Sequence, residues 1–560
     1  MLTVLNRENI VPNVYFPMGW EETCADNEKW LEVSPQGVLG GKTPFEDEYY
    51  SWRKLCLNNK EYREFMKKQI VEIMDNYEFA GFWFDIIFQE QCVCKTCLAE
   101  MKEMGLDPKK EEDRKKHDFL VLQEFMKDIY DFVRSIDDTK TMFFNGQWTP
   151  DGGYDKTYNI EARGCYQTHV EVESLPSELW GYNLFPLYVN YHNRHSGECI
   201  GMNGKFHNAW GDFGSLRNVE ALEFECFRMI MNGAKCSVGD QLHPRGRLDQ
   251  STYQRIGKVY EQIEAREPWI LKDQKVSEVG IIMAHKELED GMLADEGALR
   301  MMLELKHQFD FIDWQEDFTK YKVIILPDTV YFTEEHGDKI SKYIQDGGKV
   351  IASHMSGFNQ ESGKYIFKEA NIEYEGKSTY SPMYLNVTKE FSNTIEEMQY
   401  ALYEDGSNVV AKDEKQVKAY LGKPYFNRTY DCFCSHRQFP IDQITKYAGI
   451  VETDSVIYIS HPIFTDYITN GVRVYREIIE ESLQHLIGDG MVITNLPASA
   501  EVTVRKQENR TIVHMSHYIA EKKSKKLEVV DTKLPIYDID MKVKVDSAPT
   551  KIYLAPQMET

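Results

Sequence analysis

From its start to about residue 268 the chain alternates short apolar runs with amphipathic helical stretches, the pattern of a parallel sheet built from βα units. Six strands are predicted there, at residues 10–16, 80–85, 141–145, 165–173, 199–203 and 234–240. Helices are predicted where Phe119, Leu122, Phe125, Ile129, Phe132 and Ile136 recur every three or four residues, and again at Leu222, Cys226 and Met229. The helix expected after Asn145 carries little periodic signal. The strands tend to end in a polar residue: Asp85, Asn145, Glu173, Asn203 and Asp240. In a (β/α)8 barrel those ends converge on one face, so five separate segments would deliver polar groups to a single site. A doubly wound open sheet would need a Gly-rich phosphate loop, which the sequence lacks.

Six strands are two short of a closed ring. The expected fold class is therefore α/β, a (β/α)8-type TIM barrel lacking its first two βα units, occupying residues 1–272. A second αβ pattern follows in residues 273–490. VSEVGIIMA reads as a strand, 292–309 as a helix, FDFIDW and YKVIILPD as strands, 334–344 as a helix and GGKVIAS as a strand, together a flavodoxin-like sheet. Residues 374–490 are otherwise mixed, with a helix expected over 472–486. Alternation in EVTVRKQENRTIVHMSHY points to a small C-terminal β-domain over 491–560.

Composition narrows the partners. A net charge of -25 repels phosphate backbones and anionic lipid surfaces, so neither nucleic acid nor membrane is expected as a partner. An aromatic share of 12%, with 33 Tyr and 9 Trp, suits a neutral carbohydrate. No charged segment followed by a long apolar stretch opens the chain, so a cytoplasmic location is expected. Eleven Cys there imply reduced thiols or metal ligands.

Candidate chemistry starts at GFWFDI, where period-two alternation sets Gly81, Trp83 and Asp85 on one face and Phe82, Phe84 and Ile86 on the other. A carboxylate at Asp85 can attack an anomeric carbon or steady an oxocarbenium ion; its bland alternative is a loop cap or an Arg partner. In THVEVESLP, His169, Glu171 and Glu173 share a face, and either glutamate could serve as general acid/base or simply bind sugar hydroxyls. The expected sugar-binding groups are Trp20, Trp83, Asn145, His169, His207, Trp210, Asp240 and His243, with Trp148, Lys205, Asp212 and Arg245 nearby in sequence. Singly, each is more often structural; their weight comes from following successive strands.

Cys92, Cys94 and Cys97 form C-x-C-x-x-C directly after the Asp85 strand. Three such thiolates invite a tetrahedral metal, with Cys56 the candidate fourth ligand, against the alternative of unligated thiols. Four cysteines leave no open position, so the expected zinc would be structural and catalysis would need no cofactor.

With these residues in hand, the barrel portion resembles the glycoside hydrolase families related to α-L-fucosidases, in particular family 151. The resemblance rests on GFWFDI with CVCKTC, THVEVESLP with WGYNLFPLY, GKFHNAWGDFG, and CSVGDQLHPRGRLD, together spanning about residues 15–269. Residues 276–357 resemble the trimerisation domain of family 42 β-galactosidases, whose barrels also carry a C-x-C-x-x-C zinc loop plus an upstream Cys. The resemblance implies a zinc at Cys56, Cys92, Cys94 and Cys97 and a homo-oligomer, trimer or dimer. The motif similar to WFDI supplies the nucleophile of family 29 α-L-fucosidases, which implies that role for Asp85, with Glu173 the first choice for acid/base and Glu171 the second. Relatives begin with two more βα units, so this chain is expected to start at the third strand. The expected activity is that of a retaining, exo-acting α-L-fucosidase on small glycosides or oligosaccharides. The alternatives are a β-galactosidase-like hydrolase and an inactive or truncated oligomeric carbohydrate-binding protein.

Overall fold

The computed structural model describes residues 2–40, 52–146, 166–176, 180–192, 198–208, 212–284, 291–525 and 527–559. The chain divides into two compact units, Met1–Val172 with His195–Ile200, and Glu173–Arg194 with Gly201–Thr560.

In the first unit, β1 (Asn13–Pro17), β2 (Gly81–Asp85) and β3 (Thr141–Phe144) form a parallel sheet in that order. The register sets Tyr15 opposite Trp83, Pro17 opposite Asp85, and Trp83 opposite Phe143. The crossover helix Lys60–Asn76 starts where the Asn59 side chain accepts the Tyr62 amide, a cap that satisfies one otherwise open donor. The helix Glu111–Ile136 opens on Glu111, Glu112 and Asp113, which complement the positive end of its dipole. Met66 and Ile70 from one helix, with Phe125, Ile129 and Val133 from the other, pack on Phe16, Phe82, Phe84 and Phe144. Burying that strand face leaves Tyr15, Trp83, Asp85 and Phe143 together on the opposite one.

The first strand starts at Asn13, three residues later than its apolar pattern implies, and a helix at Leu2–Arg7 precedes it. The strand expected at 165–173 is confined to β4 (Val170–Glu173). Just before it, the Thr168 hydroxyl accepts the Met142 amide at 2.9 Å and the Thr168 amide donates to the Met142 carbonyl at 3.0 Å. That side-chain tie takes the place of regular ladder pairing beside β3. Trp148 and Cys165 lie outside the described residues.

The strands β5 (Cys199–Gly204) and β6 (Lys235–Gly239) follow in a sheet ordered β4-β5-β6, and the boundary between the units runs through β4 and β5. In the second unit a nine-stranded sheet dominates. Its parallel part runs Phe309–Ile312, Val279–Ile282, Val323–Leu326, Lys349–Ser353, Val456–Ile459, the flavodoxin order 2-1-3-4-5. Every residue of Val279–Ile282 and Val323–Leu326 is buried, as a parallel sheet covered on both faces requires. Much of the stretch that reads as mixed in sequence forms an antiparallel extension, Ile441–Glu452, Val417–Pro424, Met383–Val387 and Gln399–Leu402. The helix expected over 472–486 is present as Arg473–Ile487. Near the C-terminus, Ala500–Gln507 pairs with Arg510–His517 on one side and with Gln274–Lys275 on the other. Among the described residues, no helix is long and apolar enough to cross a membrane.

Candidate active site

Asp85 is the last residue of β2, and three donors from three segments hold its carboxylate. Oδ1 accepts Asn145 Nδ2 at 2.9 Å and the Ile86 amide at 2.8 Å, while Oδ2 accepts the Tyr15 hydroxyl at 2.5 Å. An ionised carboxylate is acceptor-only, and all three partners suit that form. Ile86 does not continue the strand alternation: its φ is +59°, a left-handed conformation costly for a β-branched residue. Strain of this kind persists where surrounding structure enforces it, and this turn follows directly on the peptide whose N–H donates to Asp85. Gly19 completes the turn, because a Cβ there would lie 2.4 Å from the Ile86 carbonyl oxygen.

Beside Asp85 on the same face, Tyr15 stacks on Trp83 with ring centroids 5.4 Å apart and planes at 19°. The Trp83 indole N–H donates to Glu171 Oε2 at 2.9 Å, and His169 Nε2 lies 3.1 Å from Glu171 Oε1. His169 Nδ1 lies 3.0 Å from the Thr168 hydroxyl, which itself donates to the Met142 carbonyl at 3.1 Å. Glu171 is buried with a partner on each oxygen. Glu173 closes β4 two residues further on, half-buried, and so follows Glu171 on the same strand face. Trp20 sits 6.1 Å from Phe88, and its buried indole nitrogen has no partner among the described residues. The first unit therefore brings together Asp85, Asn145, Trp83, His169 and Glu171 of the residues expected from sequence. Sequence reasoning missed Tyr15 and the exposed Phe88, although Tyr15 shares the face of Pro17 by simple alternation.

The remaining candidates belong to the second unit. Asp240 pairs with Lys205 at 2.9 Å, both largely buried. His243 meets Phe213 edge-on at 5.9 Å and accepts the Arg245 amide at its own Nδ1, 3.2 Å. His207 is half-buried, its amide bonded to the Ser215 carbonyl; Asp212 is also half-buried. Asn203 Nδ2 donates to Glu225 at 2.6 Å, and burial pushes the Glu225 carboxyl above the usual range against the pull of Arg217. Trp210 lies outside the described residues.

Cys56, Cys92, Cys94 and Cys97 converge, their sulfurs all within 4.8 Å of one another. Cys56 Sγ is 3.7 Å from Cys94 Sγ and 3.6 Å from Cys97 Sγ. Tetrahedral zinc with bonds of about 2.3 Å needs sulfurs about 3.8 Å apart, so the donor set fits that ion. Polar hydrogens face the sulfurs: the Val33 amide lies 3.4 Å from Cys92, and the Gln89 amide nitrogen is 3.5 Å from Cys56. Such donors orient and stabilise thiolates in metal sites. Hydrogen bonds with Cys56 and the other sulfurs push the Cys94 thiol down and those of Cys92 and Cys97 up.

Residues 299–412 match the family of the β-galactosidase trimerisation domain. The solved structure of α-L-fucosidase isoenzyme 2 from Paenibacillus thiaminolyticus is similar over 100% of this chain and 84% of that one, with a TM-score of 0.92 and 30% identity. A β-galactosidase from Bacillus circulans sp. alkalophilus matches over 93% of this chain and 85% of that one, TM-score 0.70, at 12% identity, a likeness of fold. The β-galactosidase LacZ of Lactobacillus acidophilus is 23% identical over 187 residues, covering 28% of this chain and 28% of that relative's length. The mixed α/β fold is thus similar to that of TIM-barrel glycosidases, with a β-rich C-terminal region. The chain belongs to the α-L-fucosidase-related glycoside hydrolase family of the Paenibacillus enzyme and carries a β-galactosidase-type trimerisation domain.

Proposed function

We propose that the chain is a retaining exo-glycosidase that releases α-L-fucose from small glycosides or oligosaccharides. The observation that carries this reading is the Asp85 carboxylate, fixed by three donors at a strand exit beside Trp83, Glu171 and His169. One Asp85 oxygen attacks the anomeric carbon as the glycosidic oxygen departs with a proton from the acid/base, forming a glycosyl ester. Water, deprotonated by the same acid/base, then attacks that carbon, freeing the sugar with retained configuration and regenerating the carboxylate. Glu173 is our first choice for acid/base, because it ends β4, two residues nearer the strand's exit than Glu171. Glu171 remains the second choice. The 30% identity to an α-L-fucosidase across the whole chain supports the sugar. A β-galactosidase reading draws on the trimerisation domain and on the partial match to LacZ.

We infer further that Cys56, Cys92, Cys94 and Cys97 hold one structural zinc that stiffens the loop after β2, that the protein is cytoplasmic, and that it assembles as a trimer or dimer. Hydrolysis of nitrophenyl α-L-fucoside against the β-D-galactoside tests the substrate. Asp85→Asn is expected to lower turnover by about three or more orders of magnitude while ligand affinity persists. A fully active Asp85→Asn enzyme would reject the assignment. Turnover of galactoside alone would favour the second reading, and sugar binding without turnover would favour a carbohydrate-binding protein.

A further inference from the structure

The two oxygens of Asp85 are not equivalent. Among the described residues, Oδ1 accepts two hydrogen bonds, from Asn145 Nδ2 at 2.9 Å and the Ile86 amide at 2.8 Å, which use both of its lone pairs. Oδ2 accepts one, from Tyr15 at 2.5 Å, and keeps a second lone pair for carbon. The Tyr15 ring is placed by its stack on Trp83, and Trp83 is fixed in turn through its indole bond to Glu171. Tyr15 is 59% exposed, so its phenol reaches Asp85 from the open side of the sheet without being part of the packed core.

We propose that Tyr15 is a positioning residue that selects Oδ2 of Asp85 as the attacking oxygen and stabilises it as a leaving group in the second half of the reaction. The inference rests on the nucleophile reading given above and deepens it. In the first step the Oδ2–C1 bond forms and the aglycone C1–O bond breaks; negative charge on Oδ2 falls, and the Tyr15 hydrogen bond weakens. In the second step water bonds to C1 and the C1–Oδ2 bond breaks. The electron pair returns to Oδ2, where the phenol hydroxyl is already aimed. A hydrogen bond to a charged acceptor is stronger than one to an ester oxygen, so the Tyr15 hydroxyl assists the second step more than the first. The phenol itself transfers no proton.

Tyr15→Phe removes that hydroxyl and keeps the ring that stacks on Trp83. With nitrophenyl α-L-fucoside, whose leaving group makes the first step easy, the variant is expected to lower kcat by about 10- to 100-fold. KM should fall with it, leaving kcat/KM within a few-fold. Stopped-flow traces should show a nitrophenol burst of about one equivalent, and acid-quenched protein should carry one deoxyhexosyl group on the Asp85 peptide. Thermal unfolding midpoints measured in parallel report whether the fold is kept. Equal losses in kcat and kcat/KM with no burst and no adduct would overturn the proposal, as would unchanged kinetics. The wild-type arm separates the two layers: a wild-type enzyme that turns over the fucoside while Tyr15→Phe shows neither burst nor adduct refutes the Tyr15 role alone. A wild-type enzyme inert toward all tested glycosides refutes the nucleophile reading and the Tyr15 role with it.

Discussion

Replacing Gly19 by alanine probes the active-site geometry without touching any group proposed to meet the substrate. A Cβ at Gly19 would stand 2.4 Å from the Ile86 carbonyl oxygen and 3.2 Å from Ile86 Cγ2. The obstacle is backbone, so the two segments must part by about 0.6 Å to restore even a 3.0 Å contact. Ile86 has little room to yield, since its φ of +59° already lies in a costly region and the adjacent Asp85 carbonyl accepts the Met18 amide at 2.8 Å. Any displacement passes to the Ile86 amide and hence to Oδ1 of Asp85. Misplacement of a reacting group by an ångström costs up to about 100-fold in rate, so a 10- to 100-fold loss in kcat is expected for Gly19→Ala. Overpacking of this kind should cost roughly 1–3 kcal/mol of stability, readable as a lowered unfolding midpoint. Steady-state kinetics on nitrophenyl α-L-fucoside supply the assay. Turnover within two-fold of wild type would show that the turn does not set the position of the proposed nucleophile.

Two further predictions concern sites away from Asp85. Purified, unchelated protein should contain about one zinc per chain by elemental analysis, and Cys97→Ser should lose the metal and unfold at lower temperature; metal-free wild-type protein would refute the cluster's role. Burial, aided by the nearby His461, pushes the His354 imidazole down to about 3 from an ordinary 6.5. The folded state therefore excludes a proton that the unfolded chain binds. The stability this group contributes is complete above pH 6.5 and is lost as pH falls toward 3, by up to about 1.4 kcal/mol per pH unit. Urea titrations between pH 7 and 4.5 should show a shallower decline for His354→Asn, which tolerates the local φ of +48°; parallel declines would exclude His354 as the source.

The strands of the first unit were legible because burial enforces a two-residue period: Phe82 and Phe84 fill the core, so Trp83 and Asp85 must face away from it. Cys56 was legible for a different reason, since a tetrahedral sulfur site needs a fourth ligand and RKLCLNN lies in the connection leading into β2. What alternation does not encode is which residue on one strand meets which on the next. Tyr15 can take the proposed role only because the register sets it opposite Trp83 and within reach of Asp85, a relation across 70 positions of chain. The same holds for Glu171, which sequence offers as an acid/base and the structure ties to Trp83 and His169. The Asp240–Lys205 ion pair likewise joins two separate loops.

Register is therefore the property on which the chemistry of Asp85 depends. Its three donors come from β1, from the turn that ends β2, and from the residue after β3. A slip of β1 by one residue would exchange Tyr15 for Phe16 or Val14, and neither carries a hydroxyl. The slip would also turn Phe16 out of the core it shares with Phe82 and Phe84, so hydrophobic packing penalises the error that would release Oδ2. The apolar face of the sheet thus holds the polar face in register, and the geometry of the Asp85 carboxylate follows from where the phenylalanines must go.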